Sequence, residues 1–191
     1  MTTTGPGQSV QLLLSIIPIL NQLGVRYATV GALAVSYYGV VRASLDADAI
    51  ISVAGSKEAM DSLMNGLKKM GLSATYRAGE MGDPLAGVIS VADGNLNRVD
   101  LILGIQGMEP DAFSRTVSVT LLGCEIQLVG LNDLIAMKLF AGGPLDQEDV
   151  RGILNVARSQ VDWNLVRRLS SRYGEETLSL LEQMLREVPI S

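Results

Sequence analysis

The sequence has no histidine among its 191 residues, and this absence excludes several chemistries. Ser-His-Asp and Cys-His catalysis, histidine general bases and histidine zinc sites all require that side chain. Any chemistry here must therefore use carboxylates, lysine, arginine, hydroxyl groups and a hard metal ion. The single cysteine, Cys124, permits no intramolecular disulfide. We interpret it as a small core residue of a protein in the reducing cytoplasm.

The sequence also lacks a basic excess and a long hydrophobic run. Its net charge of −5 and pI near 4.7 are untypical of a dedicated nucleic-acid binder, although they leave room for a local basic groove. The apolar stretch "LLLSIIPIL" is short and contains Ser15 and Pro18. We predict neither a signal peptide nor a membrane-spanning helix, no association with a membrane, and a cytoplasmic location.

The pattern of apolar residues predicts an α/β (α+β) protein. Apolar residues make up 48% of the chain, enough for a substantial core. Up to about residue 130, helical periodicity alternates with short β-like segments, and after Gly130 the pattern is helical only. We therefore predict a mixed β-sheet flanked by helices over residues 1–130, with an all-helical C-terminal part, residues 131–191, packed on it.

Two aspartates interrupt a β-like apolar segment, "SLDADAIISV". Residues i and i+2 of a strand share a face, so Asp46 and Asp48 point the same way with Cβ atoms roughly 6.5–7 Å apart. Asp100, in the apolar strand "NRVDLIL", supplies a third carboxylate from another strand. If these groups are buried together, a cation must compensate for their charge. Oxygen-only ligands favour Mg²⁺ or Mn²⁺ over zinc.

The aspartate pair alone leaves a simpler interpretation open, an exposed strand end or a turn cap. The preceding residues favour the metal site. Gly31 and Ala32 form a glycine turn between a strand and a short helix, where backbone N–H groups can hold a phosphate. Arg42 and Ser44 come just before the pair. A glycine turn, a short helix, an arginine and paired carboxylates together predict a metal–triphosphate site.

The ordered residues Gly31-Ala32, Arg42-x-Ser44-x-Asp46-x-Asp48 and Asp100 resemble the nucleotidyltransferase superfamily of polymerase-β-like fold. The resemblance is greatest to the small bacterial branch with the toxins of AbiE-type toxin–antitoxin systems, and it spans about residues 24 to 155. It implies that the glycine turn holds triphosphate, that Asp46 and Asp48 bind two magnesium ions, and that Asp100 completes the metal site. The segment "LIAMKLFAGGPLDQEDVRGIL" resembles a helical region of that branch, which implies a triphosphate-facing Lys138 and an Asp146 that begins the next helix.

Three positions depart from the pattern of the superfamily. Ala32 replaces a residue whose hydroxyl contacts phosphate, Ser44 stands where threonine is usual, and Gly143 stands where a basic residue is common. Because the three carboxylates are present, we expect an active site with weaker triphosphate affinity.

These residues predict a metal-dependent nucleotidyltransferase that moves a nucleoside monophosphate from an NTP, such as ATP, to an acceptor hydroxyl. Asp100 would also act as the general base. An RNA 3′ end, a protein and a small molecule all remain open as acceptors, and an antitoxin is the expected partner if the chain is a toxin. The alternative is a non-catalytic protein of the same fold that binds a nucleotide or a protein partner.

Four acidic residues near the C-terminal helices receive structural interpretations. Asp146 lies early in a helix, where a carboxylate caps the positive end of the helix dipole. Asp133, Glu148 and Asp149 are interpreted as first-turn and solvent-face charges.

Overall fold

The computed structural model describes residues 2–53 and 57–187. Its regular elements are the helices and strands that follow, in chain order. They are α1 (Ser9–Gln22), β1 (Arg26–Thr29), α2 (Gly31–Tyr37), β2 (Asp46–Ser52), α3 (Lys57–Lys69), β3 (Ser73–Ala78), β4 (Gly87–Ala92), β5 (Arg98–Ile102), β6 (Val117–Leu121), β7 (Cys124–Leu128), α4 (Leu131–Ala141), α5 (Pro144–Val156), α6 (Trp163–Tyr173) and α7 (Glu175–Glu187).

These elements group into two compact units. The sheet unit comprises Met1–Leu33, Ala43–Gln106 and Val117–Leu128, and the helical unit comprises Ala34–Arg42, Gly107–Thr116 and Val129–Ser191. The predicted mixed α/β architecture with C-terminal helices is confirmed. The predicted division at residue 130 stays a prediction, and the two internal segments 34–42 and 107–116 group with the C-terminal helices.

A seven-stranded mixed sheet forms the sheet unit, in the order β3-β4-β5-β2-β1-β7-β6. β2 runs parallel to β5 and antiparallel to β1, while β4 pairs antiparallel with both β3 and β5. Leu122 and Gly123 both have positive φ and turn the chain between β6 and β7, as expected for a tight hairpin. The core lies on one face of the sheet, where α1 and α3 pack on alternate strand residues.

Strand alternation explains which residues enter this core. Ala47, Ala49 and Ile51 of β2 pack with Val99 and Leu101 of β5 against the leucines and isoleucines of α1. The residues between them point to the opposite face, because successive side chains of a strand alternate. We call the exposed part of that opposite side, around Asp46 and Arg98, the open face; further along β2, Ile50 lies on the same side and is fully buried.

The helical unit contains α4 to α7, and the sequence marks several of their ends. Pro144 occupies the first turn of α5, and the Asp162 side chain caps α6 by accepting a hydrogen bond from the Leu165 N–H at 3.0 Å. Ser56, which the sequence favours as the N-cap of α3, lies outside the described residues. In residues 2–53 and 57–187, every helix falls short of the length and apolarity that a membrane crossing requires.

Candidate functional site

The three aspartates of the predicted metal site lie on two neighbouring strands of the sheet unit. Asp46 begins β2, Asp48 follows two residues later, and Asp100 lies in β5. In the parallel pairing of these strands, Asp48 lies opposite Asp100 and Asp46 lies opposite Arg98. Since all four residues have the same alternation, they share the open face of the sheet.

The expectation that these carboxylates are deeply buried is wrong. Asp46 is exposed, and Asp48 and Asp100 are only partly buried. The apolar character of the segment comes from Ala47 and its alternates, which face the core while the aspartates face away. A cation is therefore not needed to compensate for burial. A bound cation would instead reduce the repulsion between the neighbouring carboxylates.

The glycine turn lies directly against one of these carboxylates. Gly31 begins α2 with φ of +64°, a conformation that favours glycine. A Cβ atom at this position would overlap Oδ2 of Asp48. The N–H of Val30, just before the turn, donates to the Asp48 carbonyl at 2.9 Å. The turn and the strand that carries Asp48 are thus held together, and the positive φ of Gly31 favours glycine at this close approach.

The other two predicted residues near the turn have different surroundings. Ala32 is buried and has no side-chain hydroxyl. Ser44 is exposed, and its Oγ accepts a long hydrogen bond of 3.4 Å from the Asp46 N–H. A phosphate contact by either residue stays a prediction.

Over the described chain, no group of three or more histidine, cysteine, aspartate or glutamate side chains is placed so that it holds a metal ion. The backbone register brings Asp48 and Asp100 together with Asp46 beside them, while like charges favour side-chain orientations that point apart. The donor set of three carboxylates suits Mg²⁺ or Mn²⁺. The strand positions therefore fit such an ion. To bind it, the three carboxylate side chains would have to turn toward one another.

Arg42 and Lys138, predicted to contact phosphate, come together in the helical unit. Lys138 Nζ lies 2.6 Å from Asp146 Oδ1 and 3.0 Å from Asp149 Oδ2. Arg42 also pairs with Oδ2 of Asp149. Asp149 thus joins the segment after α2 to helix α4. The phosphate roles of Arg42 and Lys138 stay predictions, and what the structure shows is a structural role.

For two acidic residues in this region, one interpretation is wrong and the other is only partly right. Asp149 is buried, with a side chain only 4% exposed, because it accepts from two cations. Asp146 lies in the first turn of α5, as predicted, but it makes no capping hydrogen bond; the N-cap is Gly143, and the Asp146 side chain accepts from Lys138. Glu148 is exposed, as expected. The buried apolar residue one turn later on the same helix face, Ile153, is the signal that could have revealed the burial of Asp149.

A second buried ion pair, formed by Asp133 and Arg115, also differs from the sequence-based prediction. Asp133 was interpreted as a first-turn surface charge, but its side chain is 3% exposed. It accepts two hydrogen bonds from Arg115, at 2.8 Å from Nε and 2.7 Å from Nη2. Arg115 also lies 3.2 Å from Glu109. The sequence signal was the run of apolar residues after Asp133, since a carboxylate among them needs a partner.

Comparisons with known proteins bear on the fold. No protein-family model and no curated protein sequence matches this chain. Among solved structures, the antibiotic-resistance factor ANT(2'')-Ia is similar with a TM-score of 0.61 and 12% identity, over 94% of this chain and 98% of that one. ANT(2'')-Ia has also been solved in complex with adenylyl-2''-tobramycin.

Two further structures are similar over most of their length. A nucleotidyltransferase-like antigenic protein from Paracoccidioides brasiliensis gives a TM-score of 0.54 at 14% identity, over 97% of this chain and 91% of that one. A candidate nucleotidyltransferase from Thermotoga maritima gives 0.56 at 16% identity, over 80% and 96%. At such identities the similarity shows the fold alone. The chain has a nucleotidyltransferase-like fold.

Proposed function

We propose that this protein is a metal-dependent nucleotidyltransferase that transfers a nucleoside monophosphate from an NTP to an acceptor hydroxyl. The observation that carries the proposal is the pairing of Asp48 with Asp100 across β2 and β5, with Asp46 on the same face. This carboxylate group lies on a nucleotidyltransferase-like fold, and it adjoins a glycine turn that leaves no room for a side chain.

The residues divide the chemistry between them. Asp46 and Asp48 would hold Mg²⁺ or Mn²⁺, and Asp100 would share the metal and accept the proton of the attacking hydroxyl. Divalent cations supply charge neutralisation for the triphosphate and its leaving group. The acceptor oxygen forms a bond to the α-phosphorus, the bond from that phosphorus to the bridging oxygen breaks, and pyrophosphate leaves. The fixed strands position the reacting groups, and this positioning supplies the remaining rate enhancement.

Metal binding tests the proposal directly. Mn²⁺ is titrated into the wild-type protein and into an Asp46→Asn/Asp48→Asn variant. Because the variant loses both charged ligands from β2, we expect its Mn²⁺ affinity to fall at least about tenfold. An Asp61→Asn/Asp111→Asn variant is the matched control, since both positions are exposed and the change in charge is the same. Equal Mn²⁺ binding by all three proteins would contradict the proposal.

A non-catalytic role is the second candidate, and two observations favour it. The three carboxylates do not converge in the described structure, and Ala32 lacks a phosphate-binding hydroxyl. A protein that binds only a partner should show no change in melting temperature with Mg²⁺ and ATP, GTP, CTP or UTP. A nucleotidyltransferase should be stabilised by at least one of them, by about 2.7 kcal/mol at a hundredfold excess over Kd.

The toxin role and its antitoxin are a finer part of the proposal. They rest on the resemblance of the ordered motif from Gly31 to Asp100 and of the Lys138 segment to AbiE-type toxins. Induced expression of the chain in a bacterial host should then arrest growth, and co-expression of the product of a neighbouring regulator gene should restore it. Growth that continues on expression of the wild-type chain would remove this part and leave the enzymatic proposal intact.

A further inference from the structure

The open face of the sheet unit continues past the carboxylates as a row of oxygen-bearing side chains. Asp100 of β5 lies opposite Ser90 of β4, and Ser90 lies opposite Thr75 of β3. Directly opposite residues in antiparallel strands have Cβ atoms roughly 5 Å apart. The row Asp48–Asp100–Ser90–Thr75 therefore extends over four neighbouring strands, and each hydroxyl lies one strand further from the metal-site aspartates.

A parallel row beside it carries a cation and another hydroxyl. Arg98 lies opposite Asp46 and, in the other direction, opposite Ala92, which lies opposite Ser73. Arg98, Ser73, Thr75 and Ser90 are all exposed. We call these four residues the acceptor platform. The backbone of Arg98 is held in place, since its N–H donates to Ser9 Oγ at 3.0 Å and Asn97 is buried in a turn held by Asp93. Ser73, Thr75 and Ser90 are held by the pairing of β3, β4 and β5.

We propose that the acceptor platform binds the acceptor of the transfer reaction, and that this acceptor carries a phosphate group near its reacting hydroxyl. This inference rests on the proposed function. Arginine binds phosphate oxygens through paired N–H donors, and serine and threonine hydroxyls both donate and accept hydrogen bonds. The platform begins beside Asp100, the proposed general base, so an acceptor held on it presents its hydroxyl to that carboxylate.

The same residues disfavour other classes of acceptor. An apolar molecule would cover the three hydroxyls without satisfying them, which is unfavourable. A cationic molecule would meet the guanidinium of Arg98. A sugar phosphate or nucleotide matches both features, because its hydroxyls can pair with serine and threonine and its phosphate can pair with arginine. A small sugar phosphate and a ribonucleotide chain share this chemistry, and the experiment distinguishes them.

The test measures binding and does not require turnover. The protein is first saturated with Mg²⁺ and a non-hydrolysable ATP analogue, whose binding is followed by melting temperature. Ribose 5-phosphate is then titrated by calorimetry, and a fluorescent ten-nucleotide single-stranded RNA by anisotropy. The variants are Arg98→Gln and Ser90→Ala/Thr75→Ala. Arg167→Gln and Thr120→Ala are the controls, since both residues are exposed and lie outside the platform.

At least one probe should bind, and Arg98→Gln should weaken its binding roughly tenfold because a charge-assisted hydrogen bond is lost. The double hydroxyl variant should weaken it roughly threefold to tenfold, and the controls should match the wild type. Binding of ribose 5-phosphate identifies a small acceptor, and binding of RNA alone identifies a polynucleotide. Because the substituted residues are exposed, melting curves without ligand should coincide.

Two results would overturn the inference while the proposed function stands. One is binding of the ATP analogue with no binding of either phosphate probe. The other is probe binding that Arg98→Gln and the hydroxyl variant leave unchanged, as expected if Arg98 only neutralises Asp46. If the ATP analogue itself gives no shift in melting temperature, the proposed function fails, and any phosphate binding by the platform would then not mark an acceptor site.

Discussion

Aspartates in the two units of this protein have opposite surroundings. In the helical unit, Asp133 and Asp149 are almost completely buried, and each lies against arginine or lysine. In the sheet unit, Asp48 and Asp100 lie opposite each other on a partly exposed face, with Asp46 beside them. The buried aspartates are thus neutralised by cations of the protein, whereas the strand register on the open face places Asp48 and Asp100 opposite each other.

This difference separates structural carboxylates from candidate functional ones. A buried carboxylate with a cation partner contributes to the fold, and removal of either partner leaves an uncompensated charge. Neighbouring carboxylates on an exposed face repel one another, which lowers their contribution to stability. Such an arrangement is suited to an external cation. Substitutions should therefore reduce stability in the helical unit and ligand binding in the sheet unit.

The largest effect on stability should follow from Asp149→Asn. The change leaves both Arg42 and Lys138 without their shared buried partner, so we expect the free energy of unfolding to fall by about 3–5 kcal/mol. Urea denaturation of the wild type and the variant measures it. Glu148→Gln, the exposed neighbour, is the control and should change stability by less than about 0.5 kcal/mol. Equal stability of the two variants would break the comparison.

Asp133 should give a slightly smaller effect with a clear coupling to Arg115. Asp133→Asn should lower the free energy of unfolding by about 3 kcal/mol, since it removes the charge that Arg115 contacts twice. In the double variant Asp133→Leu/Arg115→Met, neither charge is left unpaired. Its loss of stability should therefore be smaller than the sum of the losses in the single variants Asp133→Leu and Arg115→Met. Strict additivity in the denaturation curves would show that the pair does not interact.

Asp93 is an aspartate of the sheet unit that has a structural role, because it accepts several hydrogen bonds. It therefore tests whether partners, and not the unit, determine what an aspartate contributes. Partial burial alone would raise its pKa, but hydrogen bonds from Asn97, Thr3 and Asn95 outweigh it and lower the pKa to about 2. A lowered pKa stabilises the folded state above the unfolded value near 4, and this contribution is lost as the pH falls towards 2.

After allowance for solvent screening, we expect Asp93 to contribute about 1–2 kcal/mol at neutral pH. Denaturation curves between pH 5 and pH 2 measure it, and Asp93→Asn should flatten that part of the pH dependence. An Asp93→Asn protein with the pH profile of the wild type would contradict the assignment.

Thr29 has a buried hydroxyl group without a hydrogen-bond partner among the described residues. Its substitution should have the smallest effect on stability. Its side chain is fully buried, and among the described residues its Oγ1 has no hydrogen-bond partner. Thr29→Val keeps the shape and removes the unsatisfied hydroxyl, so it should raise the free energy of unfolding by about 1 kcal/mol. Thr120→Val at an exposed strand position is the control. A destabilised Thr29→Val protein would reveal a hydrogen bond formed in solution.

The fold was largely predictable from the sequence, because its elements are marked by strong local signals. Such signals are the β-branched residues Ile50 and Ile51 of β2, Gly71 just after α3 and the Asp162 cap of α6. The common face of Asp46 and Asp48 followed from strand geometry alone. Their pairing with Asp100 needed the sheet order, which only the resemblance to a known fold supplied.

The environment of single charged residues was not predictable in the same way. Asp133 and Asp149 looked like surface charges because their partners, Arg115 and Arg42, are distant in sequence. The apparent burial of Asp46 was an error of the opposite kind, since the apolar residues around it belong to the other face. A one-dimensional pattern records polarity but does not record which side chains meet.

The most direct test of the account is the stability of Asp100→Asn with and without Mg²⁺ and NTP. Without ligand, neutralising one of three neighbouring carboxylates should leave the free energy of unfolding unchanged or slightly raised. With Mg²⁺ and the NTP that stabilises the wild type, the variant should lose most of that stabilisation, about 2.7 kcal/mol at a hundredfold excess over Kd. Asp111→Asn is the control. A variant that loses about 1 kcal/mol or more without ligand, yet keeps the full ligand-induced stabilisation, would contradict the assignment of Asp100 to a metal–nucleotide site.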